Sequence, residues 1–123
     1  MKSVIISVIL LLTVSTGVTV NAIYTCNSVD ILIQKAEKIN FDDITKEDTE
    51  SFNSLKSEWE KKKNILAYLH DYRKIENIEL SMVRMESAIS SNSTAEFNIY
   101  KSEFLYSLSR LEEISFFSFK NIL

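Results

Sequence analysis

The chain has 123 residues, with no proline, one glycine (Gly17), one cysteine (Cys26) and one histidine (His70). Its 14 basic and 17 acidic residues leave a net charge of −3, without the basic excess that a nucleic-acid binder carries. A sequence so poor in proline and glycine lacks the punctuation of short strands and tight turns. The expected fold is all-α, with turns built from Asn, Asp, Ser and Thr.

Residues 1–22 read MKSVIISVILLLTVSTGVTVNA, with a positive start at Lys2 and no charge from Val4 to Val20. As a helix, that uncharged stretch spans roughly 26 Å, near the lower limit for a bilayer core. The dense apolar part, Val4 to Leu12, gives way to small and hydroxyl residues. The ending Val20-Asn21-Ala22 has small side chains where signal peptidase reads them. Three readings follow: an uncleaved transmembrane anchor, a signal peptide cut at Ala22 with secretion of the rest, and a core helix of a soluble protein. In the first two, residues 23–123 form an extracytoplasmic domain, because the positive end stays inside. Cys26 follows Ile-Tyr-Thr, with Thr25 where a lipobox wants Gly, Ala or Ser. A single cysteine leaves either a free thiol or a homodimer bridged through Cys26.

Beyond the N-terminal segment, apolar spacing marks four amphipathic helices that form an antiparallel bundle. The first covers about 27–40, with Val29, Leu32, Ala36 and Ile39 on one face. Thr45 and Asp48 then resemble a capping box opening the second helix, about 46–70. Its seam is Phe52, Leu55, Trp59, Leu66 and Leu69, interrupted at Lys62 and widened by Ile65 and Tyr68. A break near 70–74 leads to the third helix, about 74–91, with the seam Ile75, Ile78, Met82, Met85 and Ile89. Ser93 and Glu96 form a capping box for the fourth, in which Phe97, Tyr100, Phe104, Leu108, Leu111 and Ile114 face inward.

The residues for catalysis or metal binding are not assembled. A di-iron bundle needs Glu-x-x-His on two helices, and here Ala67 stands three residues before the only histidine. Zinc needs more histidine and cysteine than the chain has. No glycine-rich elbow or phosphate loop is present, so no enzyme activity and no cofactor are expected. The run Glu60-Lys61-Lys62-Lys63-Asn64 reads as a solvated face, with Glu58 and Lys62 at ion-pair spacing; weak contact with anionic lipid is the sharper alternative.

Alternating helix directions carry the turn at His70 and the C-terminal SFFSFKNIL back toward the membrane, with the turn at 90–94 distal. The candidate interaction residues are therefore His70, Arg73, Lys74, Phe116, Phe117 and Phe119, the last three with Lys120 having the aromatic-plus-basic character of interfacial segments. Aromatic residues closing the end of the bundle are the alternative for these three phenylalanines.

The stretches WEKKKNIL from Trp59, HDYRKIENIELSMVRM from His70 and the ending FKNIL resemble the domain of unknown function 4363 family. This chain has Tyr72, Arg73 and Lys74 where the family pattern is more acidic. The resemblance implies a small Gram-positive bacterial protein with an N-terminal hydrophobic segment, a helical remainder and no established activity. It also implies a small membrane-protein partner, because the family's genes lie beside those of such proteins. The expected function is an accessory, protein-contacting subunit of a membrane complex. The alternative is an extracytoplasmic sensor or ligand-binding module responding through the His70 turn, since an unperturbed histidine titrates near physiological pH.

Overall fold

The computed structural model describes residues 1–39 and 46–122, and the side chains of all of these except 46–48, 118, 119 and 122. Four helices account for the described residues: α1 (Lys2–Glu37), α2 (Lys46–Leu69), α3 (Tyr72–Ser90) and α4 (Thr94–Ile122). Each packs on its neighbours in chain order and α4 closes the square against α1, with α1–α4 and α3–α4 the most extensive pairings. The fold is the expected all-α bundle.

The first departure from the sequence expectation lies in α1. A separate helix near 27–40 was expected; instead one helix of 36 residues runs through the apolar segment into the bundle. Nothing at residues 23–26 breaks it, because Ile23, Tyr24, Thr25 and Cys26 all accommodate helical backbone and neither glycine nor proline intervenes. The helix carries no charge between Lys2 and Asp30. It is exposed from Lys2 to Val14; Ser15, Val18 and Thr19 are partly covered, and burial begins in earnest at Ala22.

The seams assemble the core largely as their spacing requires. Val29, Leu32 and Ala36 of α1, with Ile39 just past its end, meet Phe52, Leu55, Trp59 and Leu66 of α2 and the inward faces of α3 and α4. Phe52 and Phe97 pack edge to face at a centroid separation of 6.3 Å, a favoured geometry for two aromatic quadrupoles. Ile65 and Tyr68 were expected to widen the α2 face, yet they point outward at 48% and 90% exposure. The reason is geometric: four helices in a square leave each a narrow inward stripe, which the Phe52–Leu66 seam already fills. At the Lys62 interruption the ammonium lies 3.4 Å from Glu58, so the pair that spacing suggested is formed.

Polar turn residues do the work that glycine and proline do elsewhere. Asp71 caps α3, its carboxylate accepting the Arg73 N–H at 3.1 Å. After α3, Asn92 takes a left-handed φ of 55°. The Asn92 and Ser93 N–H groups then donate back to the Ile89 and Ala88 carbonyls at 3.1 and 2.9 Å, the paired bonds of a Schellman stop. Ser93 in turn accepts the Glu96 N–H at 3.3 Å and starts α4. Its own N–H is already spent on Ala88, so only one half of the expected capping box is used. The Thr45 cap lies outside the described residues.

Two contacts fix how α1 and α4 are aligned. His70 touches both Thr25 and Ser115, and Lys101 donates to the Ile39 carbonyl at 2.9 Å. The two pairs are each fourteen residues apart in sequence, 25 to 39 and 101 to 115, which sets an approximate antiparallel register between α1 and α4. Extended at the same rise, it places Phe116 beside Tyr24, Phe117 beside Ile23 and Ile122 beside Val18. The molecule therefore steps down in thickness. Four helices reach the level of Thr25, two continue to Val18, and α1 alone goes on to Lys2.

Candidate functional site

The end of the bundle where α1 emerges gathers most of the sequence-predicted interaction residues. The α2 helix stops at Leu69, and the His70 N–H still donates to the Leu66 carbonyl at 2.9 Å. The Asp71 cap then turns the chain into α3. Between these two helices the imidazole of His70 points inward, into the notch that α1 and α4 leave above the hairpin. Its Nε2 lies 2.8 Å from the Thr25 hydroxyl and 3.4 Å from that of Ser115.

Thr25 is fully buried and Ser115 nearly so. The Thr25 hydroxyl donates to the Asn21 side-chain carbonyl at 3.0 Å, one turn earlier on α1. Asn21, Thr25 and His70 Nε2 thus form one hydrogen-bonded chain from α1 to the α2–α3 turn. The ring's pKa is held below its ordinary value of 6.5, first by burial and then by the nearby Lys74 ammonium. The cluster is a satisfied polar plug joining α1, α4 and the α2–α3 turn.

A second polar group lies one turn away along the same α1–α4 seam. Glu112 faces Cys26 and Asp30, and burial followed by repulsion from Asp30 raises its carboxyl pKa. The Cys26 thiol is half-buried and is itself pushed up, by burial and then by Glu112 and Asp30.

The other predicted residues divide between the two sides of α4. Arg73 is exposed on the first turn of α3. Lys74 is half-buried and shares a groove between α3 and α4 with Asn77, Tyr106 and Arg110. Phe116 and Phe117 point outward, exposed by 59% and 64%. Their outer face forms a shallow depression of about 430 Å³ on α4, bordered by Arg110, Glu113, Ile114 and Lys120. The Phe119 side chain lies outside those described. The lysine run on α2 is matched by its own carboxylates, Lys61 and Lys62 by Glu58 and Lys63 by Glu60.

Thr25 and Ser115 were the partners that sequence reading passed over, though a signal for both exists. Continued at helical steps, the α1 seam runs back from Val29 to Thr25, and the α4 seam runs from Leu111 to Ser115 rather than Ile114. A small hydroxyl residue at a seam position marks buried polar pairing. Glu79, which accepts the indole N–H of the buried Trp59, carried no comparable signal. Its acceptor role needs α2 and α3 side by side. Among the described residues, no three His, Cys, Asp or Glu side chains converge as metal ligands would.

The profile of the family described as Domain of unknown function (DUF4363) matches residues 18–122. The chain belongs to the DUF4363 family. No curated protein and no solved structure matches it significantly. The match takes in all of α2, α3 and α4 and the part of α1 that enters the bundle, and leaves Met1 to Gly17 outside it. A DUF4363 domain is thus, in this chain, the four-helix bundle plus its two-helix neck. The solitary part of α1 extends beyond it, as one helix long and apolar enough to cross a membrane, compatible with an anchor or a signal sequence.

Proposed function

We propose that this DUF4363 protein is a membrane-anchored, extracytoplasmic helical module that acts through protein contact, as an accessory subunit of a membrane complex. The observation that carries the reading is the continuity of α1. Its uncharged stretch from Ser3 to Val20, before burial begins at Ala22, corresponds to roughly 27 Å of helix, close to the thickness of a bilayer's hydrocarbon core. The same helix contributes Val29, Leu32 and Ala36 to the bundle core, so anchor and domain are one stiff element. With the N-terminal segment retained, Ala22 is 8% exposed within an unbroken helix.

Protein contact is supported by apolar side chains left at the surface of the bundle's flank, Leu80 and Val83 on α3 and Ile99 and Tyr106 on α4. A photoreactive benzoylphenylalanine at Val83 or Ile99, irradiated in native membranes, tests this. The expected product is an adduct containing peptides of a small membrane protein. Adducts with this chain alone would replace the accessory role with a homodimer, and no protein adduct at either position would overturn it. In a Cys26→Ser background, Ser91→Cys should react with an impermeant maleimide in intact cells. A mature N-terminus at Ile23 would overturn the anchor.

A second reading, a sensor acting through the His70 turn, is favoured by one observation. His70 links α1, α4 and the α2–α3 turn at the level where α1 leaves the bundle, so a proton on its ring would load all three.

A further inference from the structure

The end of the bundle from which α1 emerges differs in chemistry from the opposite end. At the opposite end the exposed residues, among those described, include Glu37, Lys38, Ser90, Ser91, Asn92 and Glu96. At the proximal end four aromatic rings are exposed: Tyr68 and Tyr72, flanking the α2–α3 turn, and Phe116 and Phe117 on α4. Ile23 of α1, which the register places beside Phe117, is 58% exposed as well. Each of these side chains leaves in water apolar surface that burial would favour. Their grouping at one end calls for an occupant.

The register identifies it. With Val20 at the hydrocarbon boundary, Phe117 and Ile23 stand roughly 4–5 Å above that plane and Phe116 about 6 Å. The headgroup layer on each side of a bilayer is roughly 5–7 Å thick. Lys120 comes level with Val20, where a long cationic side chain turns its ammonium up to the lipid phosphates. Tyrosine and other aromatic rings favour this layer, and the two tyrosines of the α2–α3 hairpin border it from the other side.

We propose that Phe116, Phe117 and Lys120, with Tyr68 and Tyr72, seat the bundle in the outer headgroup layer of the bilayer that α1 crosses. This second membrane contact rests on the reading of α1 as an anchor. It gives the two-helix neck a role: α4 continues past the α2–α3 hairpin because its last turns contact lipid. The bundle is thereby held upright with its distal turn farthest from the membrane, and its α3 and α4 flanks face along the surface toward membrane-embedded neighbours.

The full chain reconstituted in phosphatidylcholine–phosphatidylglycerol vesicles tests the proposal. In a Cys26→Ser background, a nitroxide is attached at Phe117→Cys, Val8→Cys or Ser91→Cys, with helicity checked by circular dichroism. Power saturation then reads collisions with oxygen, which concentrates in lipid, and with a water-soluble nickel chelate. The label at residue 117 should lie between the other two in depth, favouring oxygen several-fold over its ratio at residue 91. A water-like label at 117 with a deep label at 8 would overturn the seat and leave the anchor standing. A label at 117 shielded from both reagents would assign the patch to a second copy of this chain, and would equally overturn it. A water-exposed label at 8 would remove the anchor on which the proposal rests.

Discussion

Nε2 of His70 and Oγ1 of Thr25 lie 2.8 Å apart although 45 residues separate them in sequence. This contact fixes the level at which the α2–α3 hairpin meets the emerging α1, and it makes stability depend on pH. The folded ring has a pKa below 6.5, so as pH falls the unfolded chain takes up this proton first. The contribution is fully present above the unfolded value and is lost as pH drops through the folded one. Thermal unfolding of the full chain in detergent, between about pH 8 and about pH 5, should show the midpoint falling toward acid. His70→Gln, which keeps a donor near Thr25, should flatten that slope relative to wild type. An unchanged slope would remove His70 as its source.

Glu112 carries the opposite sign. Its folded carboxyl pKa is raised above 4.5, so its contribution is present below that value and lost as pH rises through the folded one. Glu112→Gln should therefore raise the unfolding midpoint at neutral pH, with the gain fading below about pH 4.5. The same substitution removes one of the charges holding the Cys26 thiol up. Iodoacetamide should then alkylate Cys26 faster at a fixed mildly alkaline pH, and an unchanged rate would mean that burial alone controls the thiol.

The Trp59 indole N–H donates to Glu79 from a fully buried ring. Glu79→Leu strands that donor and should cost about 1–3 kcal/mol in denaturant unfolding. In a Trp59→Phe background there is no N–H to strand, so the same change should cost distinctly less. Additive losses across the double-mutant cycle would show that the pair is not coupled.

Asn92 is the left-handed residue of the α3–α4 turn, at φ 55°. A β-branched side chain there meets a penalty of roughly 1–2 kcal/mol, whereas glycine meets none. Asn92→Gly should leave the unfolding midpoint unchanged or raised, and Asn92→Val should lower it. Equal effects of the two would mean that the Schellman stop does not govern the turn.

Much of this architecture was legible in the linear chain because it depends on local periodicity. Seam residues such as Val29, Leu32, Met82 and Leu108 are buried because helical spacing alone puts them on one face. Ser93 starts a helix because its hydroxyl reaches an N–H three residues on. Asp71 carries a similar local signal, a capping side chain just before α3 at the break expected near 70–74.

What depends on relations between helices was not legible. Amphipathic pattern says which face is inward but not how wide the inward stripe is, so Tyr68 was assigned to a face it does not occupy. Nor does it say whether two apolar stretches share one helix, since α1 passes from Val20 to Val29 on ordinary helical backbone with no stop signal. The His70–Thr25–Ser115 plug, the Trp59–Glu79 bond and the position of Phe116 and Phe117 beside the emerging helix all rest on the α1–α4 register and on α2 packing against α3. The sequence by itself determined an all-α bundle, the turns after α2 and α3 and most of the inward apolar positions, because backbone hydrogen bonding and side-chain spacing act within a few residues. Only the tertiary structure decided which polar groups meet and which aromatic rings remain outside, because those follow from the relative heights of helices far apart in the chain.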